Sequence, residues 1–223
     1  VGYDNRWGSF RWATNFTYAW NRNEIIELAA NAVNPVTGEP LNLNKLDIKG
    51  LGKAKYILKE GGTLGDLYTT SDLRFNDNGY VEVDKSGNLL LTDEGDDIYL
   101  GSVFPDHNLA WRNDFSWKGI NLGVLFTARI GGICYSATQA NMDLFGVSET
   151  SAAARDAGGV LINGREMVDA QKWYQAIGSQ SGLPQYYTYS ATNIRLQELS
   201  LGYTLPAKWF RDKMRMTVSF VGR

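Results

Sequence analysis

From Ser9 to Asn23 apolar and polar side chains alternate with a single interruption. Phe10, Trp12, Phe16, Tyr18 and Trp20 share one face, broken only by Thr14. Ser9, Arg11, Ala13, Asn15, Thr17, Ala19 and Asn21 share the other. A side-chain period of two held this long is a β-strand well beyond the ~5–6 residues usual in globular proteins. Leu109–Trp117 repeats the pattern, with Leu109, Trp111, Phe115 and Trp117 against Arg112, Asp114 and Ser116. After a short turn at Lys118-Gly119, Ile120–Ile130 repeats it again, with Ile120, Leu122, Val124, Phe126, Ala128 and Ile130 opposing Asn121, Gly123, Thr127 and Arg129. Ala191–Leu205 and Met214–Phe220 complete a set of five long amphipathic strands.

Two insertions separate them. Residues 25–105 carry turn signals at Asn34-Pro35, Gly61-Gly62, Asn76-Asp77-Asn78-Gly79 and Lys85-Ser86-Gly87-Asn88, and Tyr80–Val83 with Leu89–Leu91 reads as a small hairpin. Residues 131–189 are predicted to hold one short helix, with Asp169 as N-cap, Ala170, Trp173, Tyr174 and Ile177 on one face, and Gly178 closing it. Loops longer than ~15 residues are rare in compact domains unless they have a function. Here two of them alternate with very tight turns.

A transmembrane β-barrel accounts for that asymmetry, because such barrels have short turns at the periplasmic end, long loops outside, and strands with an apolar outer face and a polar lumen. A soluble sandwich alternates equally well, but strand length, the aromatic load on the apolar face and the loop asymmetry favour the barrel. The expected loops are about 25–106 and 131–190, and any further spanning strands within the first come in an even number. Both termini read as interruptions: Val1–Asn5 as part of a turn, and Arg223 as the end of a strand whose successor, the final one of the barrel, is absent.

Bulk properties narrow the chemistry. A net charge of -2 gives no basic footprint for nucleic acid. One cysteine, Cys134, allows no internal disulfide and no cysteine-based metal site, and one histidine, His107, makes zinc clusters and triad chemistry improbable. A glycosidase needs a facing carboxylate pair, and the sequence proposes none, so no enzyme is expected.

Within "ATNIRLQELSLGYTLP" (residues 191–206) the alternation changes phase: Ile194 and Leu196 fall on even positions, Leu199, Leu201, Tyr203 and Leu205 on odd ones. One account is a strand crossing from an aqueous rim into the bilayer, with Ile194 and Leu196 turned inward and Arg195 and Gln197 on the lipid side at the interface. That account requires unbroken one-to-one pairing. The other is a bulge at Gln197-Glu198.

The same stretch resembles the C-terminal signature of the SusC/RagA family of TonB-linked outer-membrane transporters. Ile194, Arg195, Leu196, Ser200, Leu201, Gly202, Tyr203, Thr204, Leu205 and Pro206 match it as they stand. "LAWRNDFSWKGINLGVLFTARIGG" (109–132) is similar to the family's strand-turn-strand, and "YLGSVFPD" (99–106) precedes it as expected. The resemblance implies an all-β fold: the C-terminal part of a barrel of about 22 strands with a plugged lumen, incomplete without the rest of the chain. It implies an importer in the outer membrane of a Gram-negative bacterium that takes up nutrient oligomers, oligosaccharide or peptide. Its partners would be a SusD-like surface lipoprotein, TonB (through an N-terminal region that, like the plug, lies outside these residues) and the lipid bilayer. No cofactor is implied. The other reading is a soluble, aromatic-rich β-module that binds carbohydrate.

Candidate contact residues lie in the second insertion: Trp173, Tyr174, Tyr186, Tyr187 and Tyr189. Aromatic faces there suit sugar rings or peptide side chains. The alternatives are packing within the loop, an aromatic belt at the outer interface for Tyr186, Tyr187 and Tyr189, or docking to the lipoprotein. A weak calcium candidate, Asp84, Asp93 and Asp96, lacks the glycine and glutamate of a calcium loop, where Leu89 and Gly95 stand; no metal is expected.

Overall fold

The computed structural model describes residues 1–29, 32–41, 43–92, 95–179 and 181–223. The chain divides into two compact units.

The first unit comprises Val1–Arg22, Pro105–Gly131 and Ala191–Arg223. It is one six-stranded antiparallel sheet: β1 (Gly2–Trp7), β2 (Phe10–Trp20), β3 (His107–Trp117), β4 (Ile120–Ile130), β5 (Asn193–Thr204) and β6 (Thr217–Gly222). The strands lie side by side in chain order, so the sheet is a plain up-and-down meander. β2, β3 and β4 have 11 residues each, the length that spans a bilayer when tilted. Of Val1–Asn5, expected as part of a turn, all but Val1 instead belong to a sixth strand, whose pairing with β2 places Trp7 opposite Phe10.

Connections are short at one end of the sheet. The β3–β4 turn has both residues at positive φ, 47° at Lys118 and 91° at Gly119, the backbone of a type I′ hairpin whose twist matches the strands. Gly119 is needed for a second reason. A Cβ there would stand 2.8 Å from the Thr204 carbonyl oxygen and 3.1 Å from the Tyr203 ring.

β5 settles the phase change. It pairs with β4 from Asn193↔Arg129 to Leu196↔Phe126, and resumes at Glu198↔Leu125. Gln197 is therefore the extra residue of a β-bulge, which re-aims every side chain after it. Ile194, Leu196, Leu199, Leu201 and Tyr203 stand opposite Ala128, Phe126, Val124, Leu122 and Ile120, all on one face. The rim-to-bilayer account is corrected: Ile194 and Leu196 do not turn inward, and Arg195 shares the polar face with Thr127, its side chain donating to Asn193 Oδ1 at 3.0 Å.

The second unit, Asn23–Phe104 with Gly132–Ser190, draws the two insertions into one body. A four-stranded antiparallel sheet uses Lys45–Leu51, Ala54–Lys59, Asp66–Thr69 and Ile98–Ser102, and none of these strands joins the six-stranded sheet. The hairpin expected around residues 80–91 reduces to isolated bridges, Val83↔Leu89, Phe75↔Val81 and Leu73↔Leu91. Among the described residues three α-helices are present where one was expected: α1 (Ala137–Leu144), α2 (Glu149–Asp156) and α3 (Ala170–Ile177). α3 is the expected one, with the Asp169 carboxylate accepting from Lys172 N at 3.2 Å and Gly178 at its end. α1 and α2 are capped by Ser136 and Ser148.

The unit's core joins Leu73 and Leu89 of the first insertion to Ala140, Ile177, Leu183 and Tyr187 of the second. Polar contacts reinforce this: Asn163 exchanges two hydrogen bonds with the Val81 backbone, at 2.8 and 3.0 Å, and Gln185 Nε2 donates to Asp72 Oδ1 at 2.7 Å.

Candidate functional site

The six-stranded sheet has two chemically different faces. On the apolar face the register aligns Phe16, Trp111, Phe126 and Leu196 in one row, and Trp12, Phe115, Leu122 and Leu201 in another. Rings continue across strands, with Trp12 stacked on Phe115 at 6.3 Å and Trp111 on Phe126 at 6.2 Å. This face is not packed away: Phe16 is 42% exposed, Leu201 55% and Ile194 78%.

Polar atoms on the apolar face are matched to one another. Thr14 and Asn113 are paired residues near mid-strand. The Trp111 indole N–H donates to Thr14 Oγ1 at 3.0 Å, and that of Trp12 donates to Asn113 Oδ1 at 3.1 Å. Without water, unpaired hydrogen-bonding groups cost several kcal/mol each, so the indoles make Thr14 tolerable in the band it interrupts. At the loop end, Tyr18 OH and His107 Nδ1 are 2.9 Å apart, which identifies the partner of the histidine.

The opposite face carries ion pairs. Arg11 Nε and Nη2 contact both carboxylate oxygens of Asp4, at 2.9 and 2.5 Å. Arg112 forks onto Asp114 at 2.9 and 3.0 Å and reaches Glu198 at 3.4 Å, and Glu198 also accepts from Arg223 at 3.0 Å. The bulge makes this possible, since the extra residue, Gln197, returns Glu198 to the polar face. Gly123 leaves the space: a Cβ there would come within 2.4 Å of Ser200 Oγ and 3.1 Å of Asp114 Oδ1.

The five aromatic residues of the second insertion separate by burial. Tyr187 is 2% exposed and forms part of the loop core, so neither a belt nor a contact surface describes it. Burial, with the Asp143 carboxylate nearby, pushes its phenol far above the ordinary value. Trp173 and Tyr174 pack against that core. Tyr186 is 37% exposed and meets the Trp173 ring edge-on at 6.1 Å. Its phenol is pushed up to about 12, by burial first and then by Asp72. Tyr189 is 49% exposed and lies opposite Cys134 in a short strand pair. Truncation of Tyr187 to alanine is expected to loosen the loop unit by about 3–5 kcal/mol, as for a buried aromatic side chain. Limited trypsin digestion of the purified full-length protein should then cleave within 132–190 several-fold faster than in the wild type.

Among the described residues the acidic candidates form no metal-binding group. Asp84 caps its own turn, Oδ1 accepting from Ser86 N and Asn88 N at 2.8 Å and Oδ2 from Asn88 Nδ2 at 2.8 Å. The Asn88 bonds hold its carboxyl below the usual range. Asp96 is exposed, and Asp93 lies outside the described residues. Among the described residues no group of three acidic, histidine or cysteine side chains is placed to hold a metal ion. Among the described residues no helix is long and apolar enough to cross a membrane, which says nothing of spanning by strands.

Sequential antiparallel strands, an exposed apolar face, a charged opposite face, and long excursions at one end define a segment of an outer-membrane-type β-barrel. No protein-family model matches the chain. In an alignment of 229 positions that takes in 94% of the chain, it is 21% identical to TonB-dependent receptor P3 of Formosa agariphila, of which it covers 21%. Among solved structures it is similar to the RagAB peptide importer in the closed-closed state (TM-score 0.55, 19% identity, 100% of this chain and 26% of that one). A second structure of the RagAB peptide transporter gives a TM-score of 0.58 at 17% identity, over 99% of this chain and 24% of that one. The chain thus spans about a fifth to a quarter of the length of these relatives. These likenesses bear out the resemblance to SusC/RagA TonB-linked transporters carried by Ile194, Arg195, Leu196, Leu201, Gly202, Tyr203 and Pro206.

Proposed function

We propose that the chain is the C-terminal barrel portion of a TonB-dependent outer-membrane importer that takes up nutrient oligomers, peptide or glycan, together with a SusD-like surface lipoprotein. The observation that supports this best is the division of the sheet into an exposed apolar face and an ion-paired face. A barrel wall needs both, one against lipid and one against a wet lumen. The carbohydrate-binding module reading requires the same apolar residues to be covered by a second sheet, and the exposure of Phe16, Phe126 and Leu201, 39% or more, speaks against it.

In this reading residues 23–104 and 132–190 face the cell exterior. Trp173, Tyr174, Tyr186 and Tyr189 supply the aromatic surface there for substrate or lipoprotein, held in place by the core around Tyr187. Energy coupling through TonB resides in the N-terminal part of the parent protein. The relatives named RagAB import peptides, which makes a peptide mixture the first substrate to try.

The test uses the full-length protein in its own host. It should fractionate with the outer membrane and change electrophoretic mobility on heating, as intact barrels do. Loss of its gene should reduce uptake of an oligopeptide or oligosaccharide mixture at least ten-fold, and dissipating the proton gradient should do the same. Recovery of the parent protein as a compact monomer without detergent would overturn the proposal.

A further inference from the structure

At the short-turn end of the sheet, the apolar band gives way to cations interleaved with exposed indoles. Trp117 closes β3 at 50% exposure, and Lys118 Nζ sits 5.2 Å from the centre of its ring. The β4–β5 edge brings the other connection alongside, because Thr204 N donates to Gly119 O at 2.7 Å. That connection begins with a short 3₁₀ turn, Ala207–Phe210, in which Trp209 is 70% exposed. Lys208, Arg211 and Lys213 are exposed around it.

Three features make these cations available to a ligand. Among the described residues Lys118, Lys208, Arg211 and Lys213 enter no ion pair, so no carboxylate of the chain engages their charges. Their backbone is fixed in spite of strain: Arg211 and Asp212 are both left-handed, at φ 54° and 61°, a conformation rarely adopted by non-glycine residues. The turn's amides are satisfied internally, with Asp212 N bonded to Ala207 O at 2.9 Å and Lys213 N to Phe210 O at 3.1 Å. Side chains, not backbone, are what the turn offers to a ligand.

We infer that this end of the sheet is a binding surface for the phosphate headgroups of anionic phospholipids in the leaflet next to the short turns. The inference rests on the barrel reading above. Charge complementarity selects the occupant. Indoles settle at headgroup depth, and long cationic side chains just beyond them reach phosphate while their stems cover apolar surface. An anionic lipid satisfies both at once; a soluble acidic partner would use the cations and leave Trp117 and Trp209 in water. The attraction of basic segments to anionic leaflets is screened within about one Debye length, ~8–10 Å at ordinary salt.

The full-length protein is reconstituted in nanodiscs of phosphatidylethanolamine and phosphatidylglycerol in equal amounts, and the retained lipid is measured by native mass spectrometry after release into detergent. Phosphatidylglycerol should be retained at least five-fold over phosphatidylethanolamine, and raising salt from low to high ionic strength should remove most of that preference. The variant Lys208→Gln/Arg211→Gln/Lys213→Gln should lose it, while Arg195→Gln, at the opposite end of the sheet, should keep it. Equal retention of the two lipids by the wild-type protein, or an unchanged preference in the triple variant, overturns the inference while leaving the barrel reading intact. Failure of the wild-type protein to enter any bilayer overturns both. The wild-type preference and its salt dependence decide the matter even if the triple variant assembles poorly.

Discussion

Deletion of Gln197 from the full-length protein is expected to leave assembly in the outer membrane intact, whereas deletion of the paired residue Ser200 is expected to abolish it. Gln197 is the unpaired residue of the bulge, flanked by Leu196↔Phe126 and Glu198↔Leu125. Without it those two pairs follow one another directly, and Ile194, Leu196, Leu199, Leu201 and Tyr203 keep one face in unbroken alternation. Removing Ser200 instead slips a paired segment by one residue, which exchanges the two faces of a strand. If the bulge is kept, Leu201 and Tyr203 enter the lumen and Gly202 and Thr204 face lipid. If the bulge is absorbed, Glu198 faces lipid, Leu199 enters the lumen, and the Glu198 contacts with Arg112 and Arg223 are lost. Each large apolar side chain moved out of an apolar environment costs roughly 1.5–3 kcal/mol, so either outcome is strongly destabilising. The heat-modifiable form in outer-membrane fractions should stay within two-fold of wild type for the Gln197 deletion and fall at least ten-fold for the Ser200 deletion. Loss of assembly on deleting Gln197 would show that the extra residue itself, and not the alternation on either side of it, places the two faces.

Adjacent arginine substitutions in β4 should have opposite fates. Val124 stands between Asn113 and Leu199 on the apolar face, and Leu125 between Arg112 and Glu198 on the polar one. Val124→Arg places a guanidinium near the bilayer midplane, at a cost of about 2–4 kcal/mol. Leu125→Arg places it beside Glu198, whose carboxylate already accepts from two arginines, and should change stability by less than about 1 kcal/mol, as is usual for partly solvated ion pairs. Equilibrium unfolding of the full-length protein in lipid, by urea titration of both variants, measures the difference. Equal destabilisation by the two would contradict the division of the sheet into lipid and lumen faces.

Much of the barrel wall was legible in advance because a half-buried strand imposes a strict period of two. β2, β3 and β4 follow that pattern closely, and the turn at Lys118-Gly119 carries a glycine at the second of its two positive-φ positions. β1 escaped notice because Gly2–Trp7 is short and mixes Asp4, Asn5 and Arg6 among its aromatics; its apolar face shows only once Tyr3 and Trp7 are seen beside Thr14 and Phe10. The additional helices escaped for a related reason. α1 and α2 have 8 residues each, few of them apolar, and are held by serine caps and tertiary packing more than by an amphipathic stripe. The aromatic cluster was visible as a group, but its composition could not say that Tyr187 is core while Tyr186 and Tyr189 remain half-exposed.

The sequence by itself determined the long strands β2 to β5, the alternation that gives the sheet two faces, and the alternation of tight turns with long excursions, since each depends on neighbours within one turn or one strand. It also displayed the change of phase at Gln197, but not its meaning. Whether an out-of-phase strand changes sides or bulges depends on the partner it pairs with, and Leu196↔Phe126 followed by Glu198↔Leu125 is a fact about β4 as much as β5. The tertiary structure likewise decided that two insertions far apart in the chain share one core, joining Leu73 and Leu89 to Ile177, Leu183 and Tyr187. Periodicity reports the face a residue presents, because backbone geometry is local. What lies against that face is set by burial between segments whose patterns are independent of one another.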